Sequence, residues 1–183
     1  MARLRDLYKS KIVPDLTKEF AYTNVMAVPK VVKMVISMGI GRAVQDKKFL
    51  ESARKELTMI AGQSPMVCKA KKSVSNFKVR EGQQTGLKVT LRGVRMYEFM
   101  DRLINLAIPR VRDFRGLNPN GFDGRGNYSM GLTEQSVFPE INPAAVEFQQ
   151  GMNITFVTTA RTDEEARRML ALFGMPFKKG TDA

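Results

Sequence analysis

Three stretches of the chain alternate between apolar and polar residues with a period of two. In the clearest, the apolar set is Leu87, Val89 and Leu91 and the opposite set is Lys88, Thr90 and Arg92. Residues 32–38 set Val32, Met34, Ile36 and Met38 against Lys33, Val35 and Ser37, and residues 152–158 set Met152, Ile154 and Phe156 against Asn153 and Thr155. This period predicts strands with one buried face. In one sheet they would offer helices an apolar face, and the cations and hydroxyls opposite would suit a polyanion.

Other stretches repeat their apolar residues at helical spacing. The predicted inward sets of four helices are Leu4, Leu7, Tyr8, Ile12, Leu16 and Phe20; Phe49, Leu50, Ala53, Leu57, Ile60 and Ala61; Tyr97, Phe99, Met100, Leu103, Ile104, Ala107 and Ile108; and Ala166, Met169, Leu170 and Phe173. Pro14 should kink or split the first helix. Asp46 is placed to cap the second, and Thr162 with Glu165 forms a capping box for the fourth.

A hairpin loop is predicted over residues 70–86, ahead of the strand that contains Leu87. Together with the residue before it, this loop contains five cations and a single acid, Glu81. The cations are Lys69, Lys71, Lys72, Lys78 and Arg80. Phe77 interrupts the charges, and two arrangements are open for it. Its ring stacks on a nucleic-acid base while the cations hold phosphates, or it tucks back under the loop.

A second loop runs from Pro109, which should end the third helix, to Gly131. Its arginines, which are Arg110, Arg112, Arg115 and Arg125, alternate with Asp113 and Asp123. For most of these arginines we expect internal ion pairs that order the loop. Further on, residues 137–141 suggest a short edge strand, and Asn142 followed by Pro143 suggests the start of a short helix.

Charge is distributed unevenly along the chain. The 183 residues carry 30 lysines and arginines against 18 acids, a net charge of +12. Residues 1–95 hold 20 of the cations and 7 of the acids, whereas residues 96–183 hold 10 and 11. Such asymmetry indicates a polyanionic partner that contacts one side of the protein. The alternatives are a basic protein without a specific partner and a general RNA chaperone, which would bind unrelated RNAs comparably.

Composition also argues against catalysis. The chain has no histidine, and therefore lacks the usual general base and the commonest metal ligand. A single cysteine, Cys68, excludes an internal disulfide and a multi-cysteine zinc site. Asp113 and Asp123 flank a glycine-rich segment and could hold Mg²⁺ in an RNA-processing enzyme, but their spacing does not demand it. We expect no enzyme activity, no cofactor and no metal.

The length suits a single domain over residues 1–183. No apolar run approaches the roughly 20 residues of a membrane span, and the first residues are not followed by an apolar signal region. These features predict a cytoplasmic protein.

Several blocks in a fixed order carry a family resemblance. They are Ala70-Lys-Lys-Ser-Val, Phe77-Lys-Val-Arg-Glu-Gly, Val89-Thr-Leu-Arg-Gly, Met96-Tyr-Glu-Phe-Met, Pro109-Arg-Val-Arg-Asp-Phe-Arg-Gly, Phe122-Asp-Gly-Arg-Gly-Asn-Tyr, Phe138-Pro-Glu-Ile and Phe173-Gly-Met-Pro-Phe. In this pattern the chain resembles the family of bacterial large-subunit ribosomal protein number five, which binds 5S ribosomal RNA. The resemblance implies an α+β fold, with helices on one face of an antiparallel sheet and a concave RNA-binding face opposite. It also implies a ribosome-bound protein that attaches 5S RNA in the central protuberance, beside large-subunit RNA and neighbouring proteins.

The resemblance further implies three groups of contact residues. The 5S RNA contacts would be Ser37, Gln63, Thr90 and Arg92, flanked by the cations Lys33 and Lys88; serine stands at 37 where the family leads us to expect asparagine. A loop reaching peptidyl-site transfer RNA would use Lys71, Lys72, Ser73, Asn76, Phe77, Lys78 and Arg80. An intersubunit bridge to a small-subunit head protein is expected within residues 109–146, and we assign it to Arg110, Arg112 and Arg115.

Overall fold

The computed structural model describes residues 2–44, 46–146 and 148–178. Its centre is a five-stranded antiparallel sheet with the strand order β2-β3-β1-β5-β4. The strands are β1 (Val31–Gly39), β2 (Met66–Lys69), β3 (Gln84–Leu91), β4 (Tyr128–Leu132) and β5 (Met152–Thr158). Together with the helices described below, this sheet confirms the predicted α+β class.

The strands predicted from alternation are present, with two differences. β3 begins at Gln84, so the loop before it is three residues shorter than predicted. In β1 the predicted inward position of Val32 is wrong, because this side chain is 42% exposed while Val31 is 5% exposed. Val31 and Met34 are both buried although they lie three positions apart, so regular alternation begins only at Met34.

The N-terminal helix continues through its proline without a break. It consists of α1 (Arg3–Leu7), a π-helical turn (Tyr8–Ile12) and α2 (Val13–Glu19). Pro14 lies in the first turn of α2, where a missing N–H is tolerated. The predicted split is therefore wrong, because helical residues run continuously from Arg3 to Glu19, with a wider π-helical turn ahead of the proline. The predicted kink stays a prediction.

The helix α3 (Lys47–Ala61) has both of its ends capped. The Asp46 carboxylate accepts a hydrogen bond from the Lys48 N–H at 2.9 Å, as predicted for an N-cap. Gly62 ends the helix in the left-handed conformation, with φ of 65°, which a residue without a Cβ adopts at little cost.

The third predicted helix begins as α4 (Gly93–Arg102), continues in a π-helical segment (Leu103–Ala107) and closes with a 3₁₀ turn (Ile108–Arg110). The seven predicted inward residues are all buried, and Pro109 lies in the closing turn. The last helix, α5 (Asp163–Leu172), is capped by Thr162, whose hydroxyl accepts from the Glu165 N–H.

The predicted edge strand at residues 137–141 is wrong. The chain forms a 3₁₀ turn (Gln135–Val137) followed by further turns, and Pro139 has no N–H to donate to a ladder. The apolar residues of this stretch are buried as side chains packed from a loop: Val137, Phe138 and Ile141. The predicted start at Asn142 is confirmed, since its side chain accepts from the Ala144 N–H at 3.1 Å.

Contacts divide the chain into two compact units. One comprises residues 1–34, 91–130 and 155–183, and the other residues 35–90 and 131–154. The core of the first includes Leu4, Ile12, Leu16, Phe99, Met100, Leu103, Tyr128, Phe156, Met169 and Leu170. The core of the second includes Ile36, Met38, Leu50, Leu57, Ile60, Leu87, Val89, Phe138 and Ile154. The single-domain organisation stays a prediction. Within the described ranges, no helix is both long and apolar enough to cross a membrane.

Candidate nucleic-acid interface

The strand β3 separates its apolar and polar residues as its alternation predicts. Leu87 and Val89 are 1% and 2% exposed, whereas Lys88 is exposed and Thr90 is half-buried. Met66 on β2 pairs directly with Lys88 across an antiparallel ladder, so their side chains share one face. The face that carries Lys88 and Thr90 is therefore open to solvent in this unit.

Ser37 and Gln63 belong to the same unit and also reach solvent. Ser37 lies on β1 between Ile36 and Met38, which are 0% and 2% exposed, and its own side chain is half-buried. Gln63 follows the left-handed Gly62 that ends α3 and is half-buried. Among described residues, no hydrogen bond occupies the side chain of Ser37, Gln63 or Thr90, so these groups are available to a ligand.

Lys33 and Arg92 fall in the other unit and are described separately. Lys33 is half-buried on β1. Arg92 follows the last residue of β3 and is the N-cap residue of α4, with an extended backbone (φ −139°, ψ 163°) and an exposed side chain that makes no capping bond. Both cations thus lie outside the core. The junction between β3 and α4 fixes the position of the Arg92 backbone, from which the side chain extends into solvent.

The hairpin loop between β2 and β3, residues 70–83, is called the basic loop below. It presents all of its predicted contact residues to solvent. Lys71, Lys72, Ser73, Asn76, Phe77, Lys78 and Arg80 are each exposed. Phe77 is 77% exposed, so it does not tuck beneath the loop. The structure therefore has the arrangement in which the Phe77 ring is free to stack on a base.

Backbone hydrogen bonds order this loop from its base to its tip. Val74 and Val79 exchange N–H···O bonds at 2.8 and 3.2 Å, enclosing a 3₁₀ turn (Ser75–Phe77). Lys78 adopts the left-handed conformation, with φ of 52°. Nearer the base, the Ser73 hydroxyl accepts from the Glu81 N–H at 2.9 Å. The cations therefore stand on a folded hairpin.

The three arginines assigned to a bridge, which are Arg110, Arg112 and Arg115, are all exposed. The predicted ion pairs are wrong, because among the described residues neither these three arginines nor Arg125 pairs with Asp113 or Asp123. Hydrogen bonds from N–H groups to carboxylates order the loop further along instead. Asp163 accepts from the N–H groups of Gly124 and Gly126 at 3.1 and 2.8 Å. Asp123 accepts from the Asn127 amide at 2.7 Å and from the Arg125 N–H at 2.9 Å, and these bonds lower the pKa of its carboxyl below its ordinary value.

Sequence reasoning missed several exposed apolar residues and one buried polar pair. Met66, beside Lys88, is 63% exposed, and the tip Val25–Met26 is exposed as well. Periodicity gives no signal for single exposed apolar residues. The buried pair of Glu56 and Gln135 was also missed, although Glu56 lies at helical spacing among the inward residues of α3 and could have been found there.

Comparison with known proteins decides the family. Residues 24–80 match the model described as ribosomal protein L5, and residues 84–177 match the model that describes the C-terminus of the same ribosomal family. The chain belongs to the ribosomal L5 family. The "Large ribosomal subunit protein uL5" of Thermotoga maritima is 61% identical over 97% of this chain and 96% of its own length, and that of Alkaliphilus oremlandii 59% over 98% and 100%. L5 proteins are structural components of the large ribosomal subunit, which confirms the prediction that the chain is not an enzyme.

Proposed function

We propose that this L5 family member acts in the large ribosomal subunit by binding 5S ribosomal RNA, which it attaches to the subunit in the central protuberance. The proposed contacts are Lys33, Ser37, Gln63, Lys88, Thr90 and Arg92. The observation that carries the proposal is the solvent-open strand face on β3, where an exposed lysine and a half-buried threonine alternate with buried leucine and valine.

Such a face suits the chemistry of folded RNA. A-form helices hide the base edges of the major groove, so proteins recognise shape, sugar hydroxyls and splayed bases of loops. Hydroxyl, amide and guanidinium groups held at strand spacing match that kind of target, while lysines add affinity with little specificity. Ser37 can donate and accept here, but it has a shorter reach than the asparagine expected at this position.

Arg92→Ala tests the proposal, because the guanidinium is exposed and removing it disturbs no core. We expect 5S RNA binding to weaken by about 1–3 kcal/mol, the range for a specific base or sugar contact. The measurement is a binding titration with purified 5S RNA at moderate salt. Arg95→Ala, which removes another exposed arginine three positions further along, is the control for charge alone. Parent-like binding by the Arg92 variant, or equal losses in both variants, would contradict the assignment.

We further propose that the basic loop contacts transfer RNA in the peptidyl site. The exposed Phe77 ring and the surrounding lysines combine a stacking surface with phosphate-binding cations, which is how proteins hold nucleic acid without reading its sequence. A folded hairpin supports this role because it places these groups before the ligand arrives.

For the second loop we propose a bridge to a protein of the small-subunit head through Arg110, Arg112 and Arg115. Their exposure supports a contact with an acidic or polar partner surface. Neighbouring central-protuberance proteins and large-subunit RNA complete the proposed set of partners.

A further inference from the structure

Two large apolar side chains stand exposed at the tip of a short turn that belongs to neither the strand face nor the basic loop. Val25 is 67% exposed and Met26 is 78% exposed, in the 3₁₀ turn Val25–Ala27. In the same segment, Val28 and Val31 are 3% and 5% exposed. The segment thus buries its two other valines while it turns these two large side chains outward, which is the pattern of an interaction site.

Hydrogen bonds fix this turn on both sides. The Asn24 carboxamide oxygen accepts from the Met26 N–H at 2.8 Å. Tyr8 donates its hydroxyl to the Pro29 carbonyl at 3.0 Å, and Lys30 and Thr159 exchange two bonds at 3.0 Å. The apolar tip is therefore held in place before any partner binds, which lowers the entropic cost of binding.

A cavity of about 270 Å³ opens at the tip. The apolar part of its wall consists of Val13, Val25, Met26 and Val28. The polar groups of the wall come from Tyr8, Lys9 and Lys30. Pockets for drug-sized ligands run from about 300 to 1,000 Å³, so this one suits a single planar base or one side chain. Both lysines are exposed, and the described lining contains no acid.

We propose that this tip is a second RNA-binding site. Val25 and Met26 pack against one unstacked base of ribosomal RNA, while Lys9 and Lys30 contact the adjoining phosphates. Apolar side chains that insert at unstacked bases recur in nucleic-acid recognition, and single-stranded RNA offers such bases. RNA is favoured over a protein partner because an apolar wall whose described lining carries two cations and no acid matches a base attached to phosphate. The proposal rests on membership of a ribosomal family and does not require the strand face to bind 5S RNA.

Site-specific crosslinking tests which kind of molecule covers the tip. A photoreactive benzoylphenylalanine replaces Met26 in one protein and Met59, which is 53% exposed on α3, in another. Ribosomes assembled with each protein are irradiated and their crosslinks are mapped. We expect position 26 to crosslink to RNA, and the crosslinked strand identifies 5S or large-subunit RNA as the source. Crosslinks from position 26 only to protein, or none, would overturn the proposal.

Binding measurements supply a second test that uses no bulky probe. The double variant Val25→Ser with Met26→Ser removes the apolar surface and keeps both lysines. We expect about tenfold weaker binding to whichever of two probes position 26 crosslinks, 5S RNA or protein-free large-subunit RNA, which is in the lower part of the range for a base stacked on an aromatic side chain. Met59→Ser is the matched control. Unchanged binding to both RNAs, or an equal loss in the control, would refute the site even if Arg92→Ala behaves as expected.

Discussion

At the scale of single residues, Gln135 is a buried polar side chain whose hydrogen bonds stabilise the fold. Its side chain is 1% exposed, and both ends of its amide form hydrogen bonds. Nε2 donates to the Phe148 carbonyl at 2.7 Å and to the Glu56 carboxylate at 3.2 Å, while Oε1 accepts from the Gln150 N–H at 2.7 Å. Because buried polar groups are tolerated only when paired, this amide ties α3 to the segment before β5.

Gln135→Leu should therefore destabilise the protein strongly. The new side chain fills the space but leaves the buried Phe148 carbonyl and the half-buried Gln150 N–H without their partner, at about 1–3 kcal/mol for a buried group and less for a half-buried one. We expect a loss of about 3 kcal/mol in the free energy of unfolding, measured by urea denaturation. Gln84→Leu, at an exposed glutamine, should change stability by less than about 0.5 kcal/mol. A parent-like midpoint for Gln135→Leu would show that the network contributes nothing.

The residues that sequence could predict are those whose partners are close along the chain. Asp46 and Thr162 cap helices through N–H groups two and three residues away, so composition and spacing suffice to find them. Gln135 and Glu56 are 79 residues apart, and no local pattern connects them. For the same reason, the exposures of Ser37 and Thr90 were predictable from alternation, whereas the exposure of Val25 and Met26 was not.

At the scale of elements, the basic loop and the strand face differ in how they hold their cations. Lys88 is fixed by the β2–β3 ladder through its pair with Met66. Lys71, Lys72 and Lys78 stand instead on a hairpin that is closed by the bonds between Val74 and Val79. The two elements can therefore serve different RNAs, and a change in one should leave the other's binding intact.

Neutralising Lys71, Lys72 and Lys78 together to glutamine tests this separation. We expect 5S RNA binding within about twofold of the parent, because we propose that the phosphate contacts of the loop are made to transfer RNA and not to 5S RNA. Retention of transfer RNA in the peptidyl site of reconstituted ribosomes should fall, since removing three phosphate contacts weakens binding at every sequence.

The matched control neutralises Lys47, Lys48 and Lys55, which are three exposed lysines of α3. This variant loses the same charge and should retain transfer RNA like the parent. An equal loss of 5S binding in the loop variant would instead place the loop in the 5S interface.

Elements were predictable where one period governs a whole stretch. β5 was predicted with its observed bounds, and the inward residues of α4 and the segments after it were all found, because burial on one side repeats along each of them. Residues 137–141 are also mostly apolar, yet Pro139 excludes a ladder bond and the chain turns. Short apolar runs carry too few repeats to distinguish a strand from a packed loop.

At the scale of the whole molecule, the positive charge determines how strongly RNA is attracted but does not select it. Residues 1–95 carry 20 cations against 7 acids, and any polyanion gains from that excess. Selection must come from groups with fixed geometry, such as the hydroxyls that the strands carry. The two contributions respond differently to salt, because counterion release weakens the charge term steeply while hydrogen bonds to bases and sugars are less affected.

A competition between 5S RNA and an unrelated folded RNA of equal length therefore tests the hypothesis that fixed polar groups, and not charge alone, select the RNA. We expect 5S RNA to be preferred at moderate salt, and the preference to grow as salt rises from about 50 to about 200 mM, because the non-specific affinity falls fastest over this range. Arg92→Ala should reduce the preference, whereas Arg95→Ala should leave it intact. Comparable affinities for the two RNAs at every salt concentration would instead describe a general RNA chaperone, in which the cations act alone and the strand face recognises nothing.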